Sequence, residues 1–283
     1  MVSKIIAESC GIEIRAEKEW QYSFFSSPYQ AHRDFAAVDI DQNKAFGDLA
    51  VSPVTGEVAK ILRFDSPTPT AKTLPEHLTI IKNREHVSRI MHIEPTAEIG
   101  DVIEAGDPLG RFVCNGFFSY WVGPIMHVEI RRPGDFLRAR GGCELKPLRK
   151  NGVRKRQVEE LTGRITGSGK NNISVSLNNP GVGAVAGQPA LLDGATCLDY
   201  AGVWGSFPVG ETVYYNGIPL GRINKTGKYM STYKTNQLVV CVNGKPFEGI
   251  SFMSCGHARL LPKKYGESGL KKGERVEIII RAI

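Results

Sequence analysis

The sequence predicts an all-β protein with two domains. Short apolar runs recur along the chain, among them HLTIIK, QLVVCV and ERVEIII. Gly, Pro, Asn and Asp separate these runs, as in turns between short strands, and amphipathic stretches with helical spacing are few. The chain has 283 residues, of which 41% are hydrophobic and 23% charged. This length and composition are those of a globular protein with two domains.

A basic segment, residues 146–160, is predicted to link the two domains. It includes KPLRKNGVRKR, which contributes six of the 36 lysines and arginines behind the net charge of +7. Because no aromatic residues are interleaved, the segment is typical of a solvated linker, and nucleic-acid binding is not indicated. The first domain then comprises residues 1–145, with an N-terminal extension in which WQYSF predicts an extended strand. The second comprises residues 161–283.

Turn signals support the strands of both domains. In the first domain, GDVIEAGDPLG is typical of two strands joined by a turn, with glycines where positive φ is needed. In the second, Asn216-Gly217 lies between ETVYY and IPLGRI, and Asn243-Gly244 follows QLVVCV. Both dipeptides are typical of two-residue hairpin turns. The close spacing of these strands predicts a small β-barrel or sandwich for the second domain.

The sequence also carries expectations about location and redox state. No apolar run approaches the roughly 20 residues of a membrane span, and the N-terminus lacks the apolar core of a secretory signal. We therefore expect a cytoplasmic protein. The six cysteines are widely spread without a C-x-x-C pair, which favours reduced thiols over a disulfide framework.

Polar residues in two predicted strands are candidate metal ligands. Asp39 ends the apolar run FAAVD, where a buried carboxylate needs a partner or a metal ion. In GPIMHVEIR, the alternation of a strand puts Ile125, His127 and Glu129 on one face. A zinc hydrolase needs three nitrogen, oxygen or sulfur ligands and one open position. Taken singly, His127 fits either a zinc ligand or a hydrogen-bonded structural histidine.

The order of several segments resembles the lysostaphin-type (LytM-like) zinc metallopeptidases over roughly residues 30–142. The chain contains, in order, HRDFAAVDI, VSPVTGEV, RIMHI, GDVIEAGDPLG and GPIMHVEI. The family has H-x-G-x-D-I, A-P-x-D-G-x-V, a strand with a histidine, a G-D-x-V hairpin and a closing G-P-H-L-H-F-E-I strand. The resemblance implies a duplicated hybrid motif (barrel-sandwich hybrid) in the first domain, and a Zn²⁺ cofactor.

The resemblance assigns roles to individual residues. It implies that Asp39 and His127 are zinc ligands and that His92, in RIMHI, is the catalytic histidine. The family's first histidine ligand would stand at Phe35, four positions before Asp39. His32, seven positions before Asp39, is the nearest candidate and completes the predicted ligand set.

One catalytic position of the family is altered in this chain. Ile125 stands where the family has the histidine that opens H-x-H, and isoleucine can neither transfer a proton nor donate a hydrogen bond. Tyr29 or Tyr120 are candidates to substitute for it.

Two functions follow from this altered catalytic set. The first is a zinc metallopeptidase-like hydrolase that cuts an amide bond of a peptide or small molecule through a metal-bound water. The alternative is a non-catalytic binding or scaffold protein on the same fold.

A third class is an enzyme on a related β fold. SPVTGEV and AGDPLGRF resemble segments of phosphatidylserine decarboxylases, which cleave themselves at a Gly-Ser pair. Here Gly116 and Ser119 are not adjacent. A lipoyl or biotinyl carrier is less favoured because the chain lacks a Met-Lys-Met-type tip.

The second domain contains two candidate clusters and no family resemblance. Cys255 and His257 would share a strand face, so that a Cys–His dyad is geometrically allowed. The other cluster fits either a ligand pocket or turns around a packed aromatic side chain. It lies in DGATCLDYAGVWGSF and consists of Asp193, Cys197, Asp199, Tyr200 and Trp204.

Overall fold

The computed structural model confirms the all-β prediction. It contains one short helix, Gln30–Arg33 (α1), and otherwise strands, turns and irregular segments in the part of the chain that it describes. The chain forms two compact units, Met1–Tyr22 with Tyr29–Arg149, and Ser23–Pro28 with Lys150–Ile283. The described residues are 3–65, 74–115, 122–148, 158–170, 172–253, 257–264, 266 and 269–283.

Within the described residues, thirteen strands precede residue 149. They are β1 (Lys4–Ser9), β2 (Ile12–Ala16), β3 (Gln21–Ser23), β4 (Ala37–Asp41), β5 (Leu49–Val51), β6 (Gly56–Phe64), β7 (Glu76–Asn83), β8 (His86–Met91), β9 (Ile93–Pro95), β10 (Val102–Ile103), β11 (Pro108–Phe112), β12 (Met126–Arg131) and β13 (Lys146–Pro147).

The main sheet of the first unit has seven strands, in the order β10-β6-β7-β8-β12-β4-β3. Two three-stranded sheets, β13-β1-β2 and β5-β11-β9, complete the unit. In the main sheet β12 lies between β8 and β4 in antiparallel register, so that His127 is opposite Asp39 on one side and Met91 on the other. This register brings side chains from three distant parts of the sequence together.

Strand β12 is buried along its whole length. Met126, Val128 and Ile130 alternate with three polar residues, as the two-residue repeat of a strand requires. The apolar side chains belong to the buried hydrophobic core. The polar ones, on the opposite face, are buried as well, which requires partners for each of them. They are His127, Glu129 and Arg131.

Thirteen further strands lie in the part of the chain after residue 158 that the structure describes. They are β14 (Thr162–Ser168), β15 (Ile173–Leu177), β16 (Val182–Val185), β17 (Gln188–Ala195), β18 (Tyr200–Trp204), β19 (Thr212–Tyr215), β20 (Ile218–Thr226), β21 (Met230–Thr235), β22 (Leu238–Val242), β23 (Lys245–Phe247), β24 (Gly249–Phe252), β25 (Ala258–Leu261) and β26 (Arg275–Ala282).

These strands build a closed barrel with a continuation. Strands β16, β19, β20, β21, β18 and β17 pair in that order, and β17 pairs back with β16, which closes a six-stranded ring. The sheet continues from β17 through β24, β25, β15, β14, β26, β22 and β23. Of the two architectures predicted from the sequence, a barrel or a sandwich, the second unit therefore contains the barrel.

The two predicted hairpin turns of the second unit are confirmed. Asn216 and Gly217, with φ of 50° and 83°, join β19 to β20, where Tyr215 pairs with Ile218. Asn243 and Gly244, with φ of 49° and 76°, join β22 to β23. Positive φ at both turn residues is the conformation that favours Asn-Gly.

Some of the sequence predictions can be compared with the structure only over the described residues. The five cysteines within the described ranges are free thiols, as expected, whereas Cys255 lies outside these ranges. In the same ranges we find no helix of the length and apolar character needed to cross a membrane. Most of the basic segment (149–157), and also Gly116, Ser119 and Tyr120, lie outside the described residues.

Candidate metal centre

Three residues predicted as ligands converge in the first unit. His32 Nε2 lies 3.2 Å from Asp39 Oδ1 and 3.1 Å from His127 Nδ1, and the last two atoms are 2.9 Å apart. His32, Asp39 and His127 are at most 3% exposed. Two imidazole nitrogens and a carboxylate oxygen thus point at one another within a buried space, as ligands of a cation do.

The local backbone explains how the unusual spacing of His32 is accommodated. His32 lies on the single helical turn α1, and Phe35, with φ of 60°, then reverses the chain into β4. Asp39 follows on β4, directly opposite His127 on β12. Phe35, which occupies the family's position for the first ligand, is itself buried at 3% exposure. The helical turn therefore brings His32 to Asp39 across seven positions instead of four.

The electrostatics of the trio favour a shared positive charge. Burial raises the pKa of Asp39, but the positive charges and hydrogen bonds of His32 and His127 outweigh it and hold this pKa below its usual range. Burial lowers the pKa of His127, yet hydrogen bonds to Asp39 and Glu129 raise it to about 9. A proton therefore stays on His127 at neutral pH in the metal-free protein, and a metal cation would take its place.

Glu129 supports His127 from the side away from the trio. Its Oε1 lies 2.8 Å from His127 Nε2, and it also forms buried ion pairs with Arg89 and Arg131. Burial raises the pKa of Glu129, but His127 and the two arginines lower it to about 2, so that it is ionised. A carboxylate behind a histidine ligand fixes the ring orientation and makes the ligand more basic. In the sequence, Glu129 is marked only by its position on the same strand face as His127.

His92 lies beside the trio and is held by a partner that the sequence analysis did not identify. Its ring centroid is 6.0 Å from that of His127. Its Nδ1 lies 2.5 Å from Glu76 Oε2, and its backbone N–H donates to Glu76 Oε1 over 2.8 Å. Asn115 Nδ2 also donates to Glu76. Because Glu76 engages Nδ1, neutral His92 has its acceptor lone pair on Nε2.

A cavity of about 470 Å³ reaches the trio at His127. This volume is sufficient for a small ligand or a few residues of a peptide. Tyr29 lines it together with His92 and His127, and apolar side chains such as Phe64 and Met91 form part of the wall. Burial, followed by the charges of Asp39 and Glu76, raises the pKa of Tyr29 to about 12. Its hydroxyl is therefore protonated at neutral pH and can donate a hydrogen bond into the cavity.

Ile125 contributes no such group. It is half-buried and immediately precedes β12. Among the described residues, Tyr29 is the candidate to supply the hydrogen bond that the histidine at the position of Ile125 supplies in the resembled family.

The cluster of the second unit is explained by packing. Asp193 accepts hydrogen bonds from the Ser23 hydroxyl, from the Phe24 backbone N–H at 3.0 Å and from Trp204 Nε1 at 3.3 Å. Tyr200 donates to the Ser27 carbonyl oxygen. These residues thus hold the segment Ser23–Pro28 against strands β17 and β18, the packed arrangement that was one of the two interpretations from the sequence.

One family model and one solved structure are similar to this chain. A family model described as "Domain of unknown function (DUF8155) N-terminal domain" matches residues 13–147, somewhat less than half of the chain. No curated protein matches. Among solved structures, the NMR solution structure of lysostaphin is similar at 12% identity and a TM-score of 0.29, over 91% of this chain and 94% of that chain. The function is therefore inferred from the geometry of the site alone.

Proposed function

We propose that the first unit binds one Zn²⁺ ion through His32, Asp39 and His127 and hydrolyses an amide bond in a peptide or small molecule. The observation that carries the proposal is the mutual approach of His32 Nε2, Asp39 Oδ1 and His127 Nδ1 to within 3.2 Å. Three nitrogen or oxygen ligands with an adjacent cavity are the donor set of a catalytic zinc ion. When bound, zinc supplies Lewis acidity and lowers the pKa of water at its open position.

The protein's own groups would serve this reaction in distinct ways. His92, oriented by Glu76, would accept a proton from the attacking water at Nε2 and pass it on to the leaving amine. Tyr29, protonated at neutral pH, donates a hydrogen bond to the carbonyl oxygen of the substrate. General acid–base help of this kind contributes about 10²–10⁴ in rate. Glu129 holds His127 in the orientation that directs Nδ1 to the metal ion.

Zinc binding is tested by metal analysis of the full chain. After treatment with a chelator and addition of zinc, Asp39→Asn and His127→Ala are expected to retain one equivalent of zinc less than the wild type. His257→Ala, which removes an exposed histidine of the second unit, is the matched control and retains the wild-type amount. Equal zinc contents in all four proteins would refute the ligand set.

Hydrolysis is tested separately with a mixture of short peptides, analysed by mass spectrometry. We expect a peptide to be cleaved, with cleavage abolished by a chelator and restored by zinc. His92→Ala is expected to lower the cleavage rate about 10²–10⁴-fold. Cleavage that is insensitive to the chelator and to Asp39→Asn would indicate a contaminating enzyme and contradict the proposal.

A second candidate function is a binding module that keeps the metal ion without catalysis. The half-buried Ile125, at the position of a catalytic histidine in the resembling family, favours it. This candidate predicts zinc binding and peptide retention without cleavage. Chelator-sensitive hydrolysis of any peptide in the mixture would exclude it.

A further inference from the structure

A second group of potential ligands lies in the first unit and shares no residue with the candidate zinc centre. It consists of Cys10, His86 and Cys143, which we name the thiol cluster. Each offers one ligand atom, and the three atoms lie within 4.8 Å of one another. Cys10 is exposed, and the other two are half-buried. The three residues come from widely separated positions in the sequence, so that their proximity is a product of the fold.

The backbone around each ligand is fixed by hydrogen bonds. Cys10 opens the two-residue turn between β1 and β2, with φ of 52°. His86 is the first residue of β8 and pairs with Asn83 across the turn from β7. The Cys143 N–H donates to the Ile130 carbonyl oxygen over 2.8 Å. Because the main chain is held at all three places, only side-chain rotation is needed to adjust the ligand atoms.

The chains that carry the two cysteines are also tied to each other. The Ser9 hydroxyl, next to Cys10, donates to the carbonyl oxygen of Glu144, next to Cys143, over 2.9 Å. Strand β1 then pairs with β13 from Ala7 and Glu8. The two thiols are therefore neighbours in any conformation that keeps this sheet.

The distances suit a tetrahedral ion. Zinc binds sulfur at about 2.3 Å and histidine nitrogen at about 2.0–2.1 Å, which separates ligand atoms by roughly 3.5–3.8 Å in a tetrahedron. Separations of up to 4.8 Å in the thiol cluster need an inward movement of about 1 Å, within the reach of χ rotations. Two thiolates and an imidazole form a softer donor set than the two imidazoles and carboxylate of the candidate zinc centre, and soft sets favour Zn²⁺ and Cu⁺.

Basic side chains lie near the β1–β2 turn. A cavity of about 470 Å³ beside the β1–β2 turn is lined by Gly11, Arg15, Lys82 and Arg84 among others. Arg84 approaches the turn closely, since a Cβ on Gly11 would lie 3.7 Å from its Nη1. Burial and the neighbouring Cys10 raise the pKa of the Cys143 thiol to about 11, although Arg132 and Arg131 lower it, so that a bound metal ion would have to displace its proton.

We propose that Cys10, His86 and Cys143 bind a second Zn²⁺ ion, separate from the one at His32, Asp39 and His127, with the fourth position open to solvent. This ion connects the β1–β2 turn, the start of β8 and the segment before β13. Because it binds only the folded first unit, it stabilises that unit by mass action.

Cobalt substitution distinguishes the two sites by their ligands. Co²⁺ bound to thiolate gives an intense near-ultraviolet sulfur-to-metal charge-transfer band, whereas a site of imidazoles and carboxylate does not. Chelator-treated, phosphine-reduced full-length protein is titrated with Co²⁺. Asp39→Asn is expected to develop the band with one equivalent of cobalt and the wild type by two equivalents, one for each site, whereas Cys10→Ser/Cys143→Ser lacks the band. Cys241→Ser, a half-buried cysteine of the second unit, is the matched control and keeps the band.

A stability measurement covers the case in which the double variant folds poorly. The exposed turn residue Cys10 can be changed alone, and zinc is expected to raise the melting temperature of Asp39→Asn but not of Asp39→Asn/Cys10→Ser. Absence of the band from the wild type, its persistence in the double serine variant, or a Cys10–Cys143 disulfide that survives reduction would overturn the proposal. None of these outcomes depends on the candidate zinc centre, since Asp39→Asn removes that site from the comparison.

Discussion

At the scale of single residues, the protonation of His127 links metal binding to pH. Its pKa of about 9 in the metal-free protein, against an ordinary value of 6.5, means that a proton must leave before zinc can bind Nδ1. We expect the affinity of the candidate zinc centre to rise about tenfold per pH unit between roughly pH 7 and 9 and then to level off. Isothermal titration in buffers of different ionisation enthalpy would measure both the affinity and the released proton.

The same shift has the opposite effect on the metal-free protein. A folded pKa above the unfolded one stabilises the fold fully below pH 6.5, and this contribution is lost as the pH rises through about 9. Denaturation of the chelated protein should therefore become easier over this interval. The Cys10→Ser/Cys143→Ser variant is the background for both measurements, because it removes the thiol cluster. An affinity that does not change with pH would contradict the assignment of His127 as a ligand.

Glu129 is the residue whose loss should affect metal binding and folding together. Glu129→Gln removes the carboxylate that forms buried ion pairs with both Arg89 and Arg131, and Arg131 keeps only its longer contact with Asp135 at 3.5 Å. Breaking a buried ion pair typically costs about 3–5 kcal/mol. It also removes the carboxylate behind His127, which we expect to weaken zinc binding about 10–100-fold. Urea denaturation and a competition assay with a chromophoric chelator measure the two effects. Glu104→Gln, an exposed residue between β10 and β11, is the control and should change neither quantity.

The residue scale also shows how far sequence reasoning reaches into the site. Asp39 and His127 give local signals, because Asp39 ends an apolar run and His127 alternates with apolar residues, whereas their assignment as ligands together with His32 comes from the resemblance to the metallopeptidases. Glu76 and Arg89 give no such signal, since they belong to strands β7 and β8 and meet His92 and Glu129 only through the sheet. Their roles depend on strand order, which periodicity cannot supply. The metal ion itself remains a prediction.

At the scale of elements, the two Asn-Gly hairpins could be predicted from their turn residues, whereas the closure of the barrel could not be predicted from the sequence. Asn-Gly predicts a turn from two residues, but the pairing of β17 with both β16 and β18 closes the ring. One glycine on β18 shows what this packing requires. A Cβ on Gly202 would lie 2.0 Å from a ring carbon of Phe25, in the segment Ser23–Pro28. The close approach of the aromatic ring therefore requires glycine at this position.

This close approach predicts the effect of a single methyl group. Gly202→Ala should displace the Phe25 ring and destabilise the second unit by about 1–3 kcal/mol, as overpacking of a core does. Gly167→Ala is the matched control, because a Cβ there meets only Ser174 at ordinary contact distance of 3.6 Å. Chemical denaturation of both variants, followed by tryptophan fluorescence, makes the comparison. Equal stability of the two variants would mean that the ring moves without cost.

At the scale of the whole molecule, the division into two units predicts a local response to metal. Zinc at a site in the first unit stabilises that unit by about 2.7 kcal/mol when its concentration is 100 times the dissociation constant. Hydrogen exchange should therefore slow in β4, β8 and β12 on addition of zinc and remain unchanged in the barrel strands β16 to β21. The chelated protein is the reference. Equal slowing in both units would contradict metal sites confined to the first.

Strand β12 gives this local response a further consequence. Its core side chains and its site side chains alternate, so that a shift of pairing by one residue would exchange the two sets. Such a shift would place Glu129 and Arg131 in the hydrophobic core and move His127 away from Asp39. Correct alignment of the sheet and assembly of the ligand set are thus a single event during folding. A population of molecules that is well folded yet carries a misaligned centre is not expected to exist.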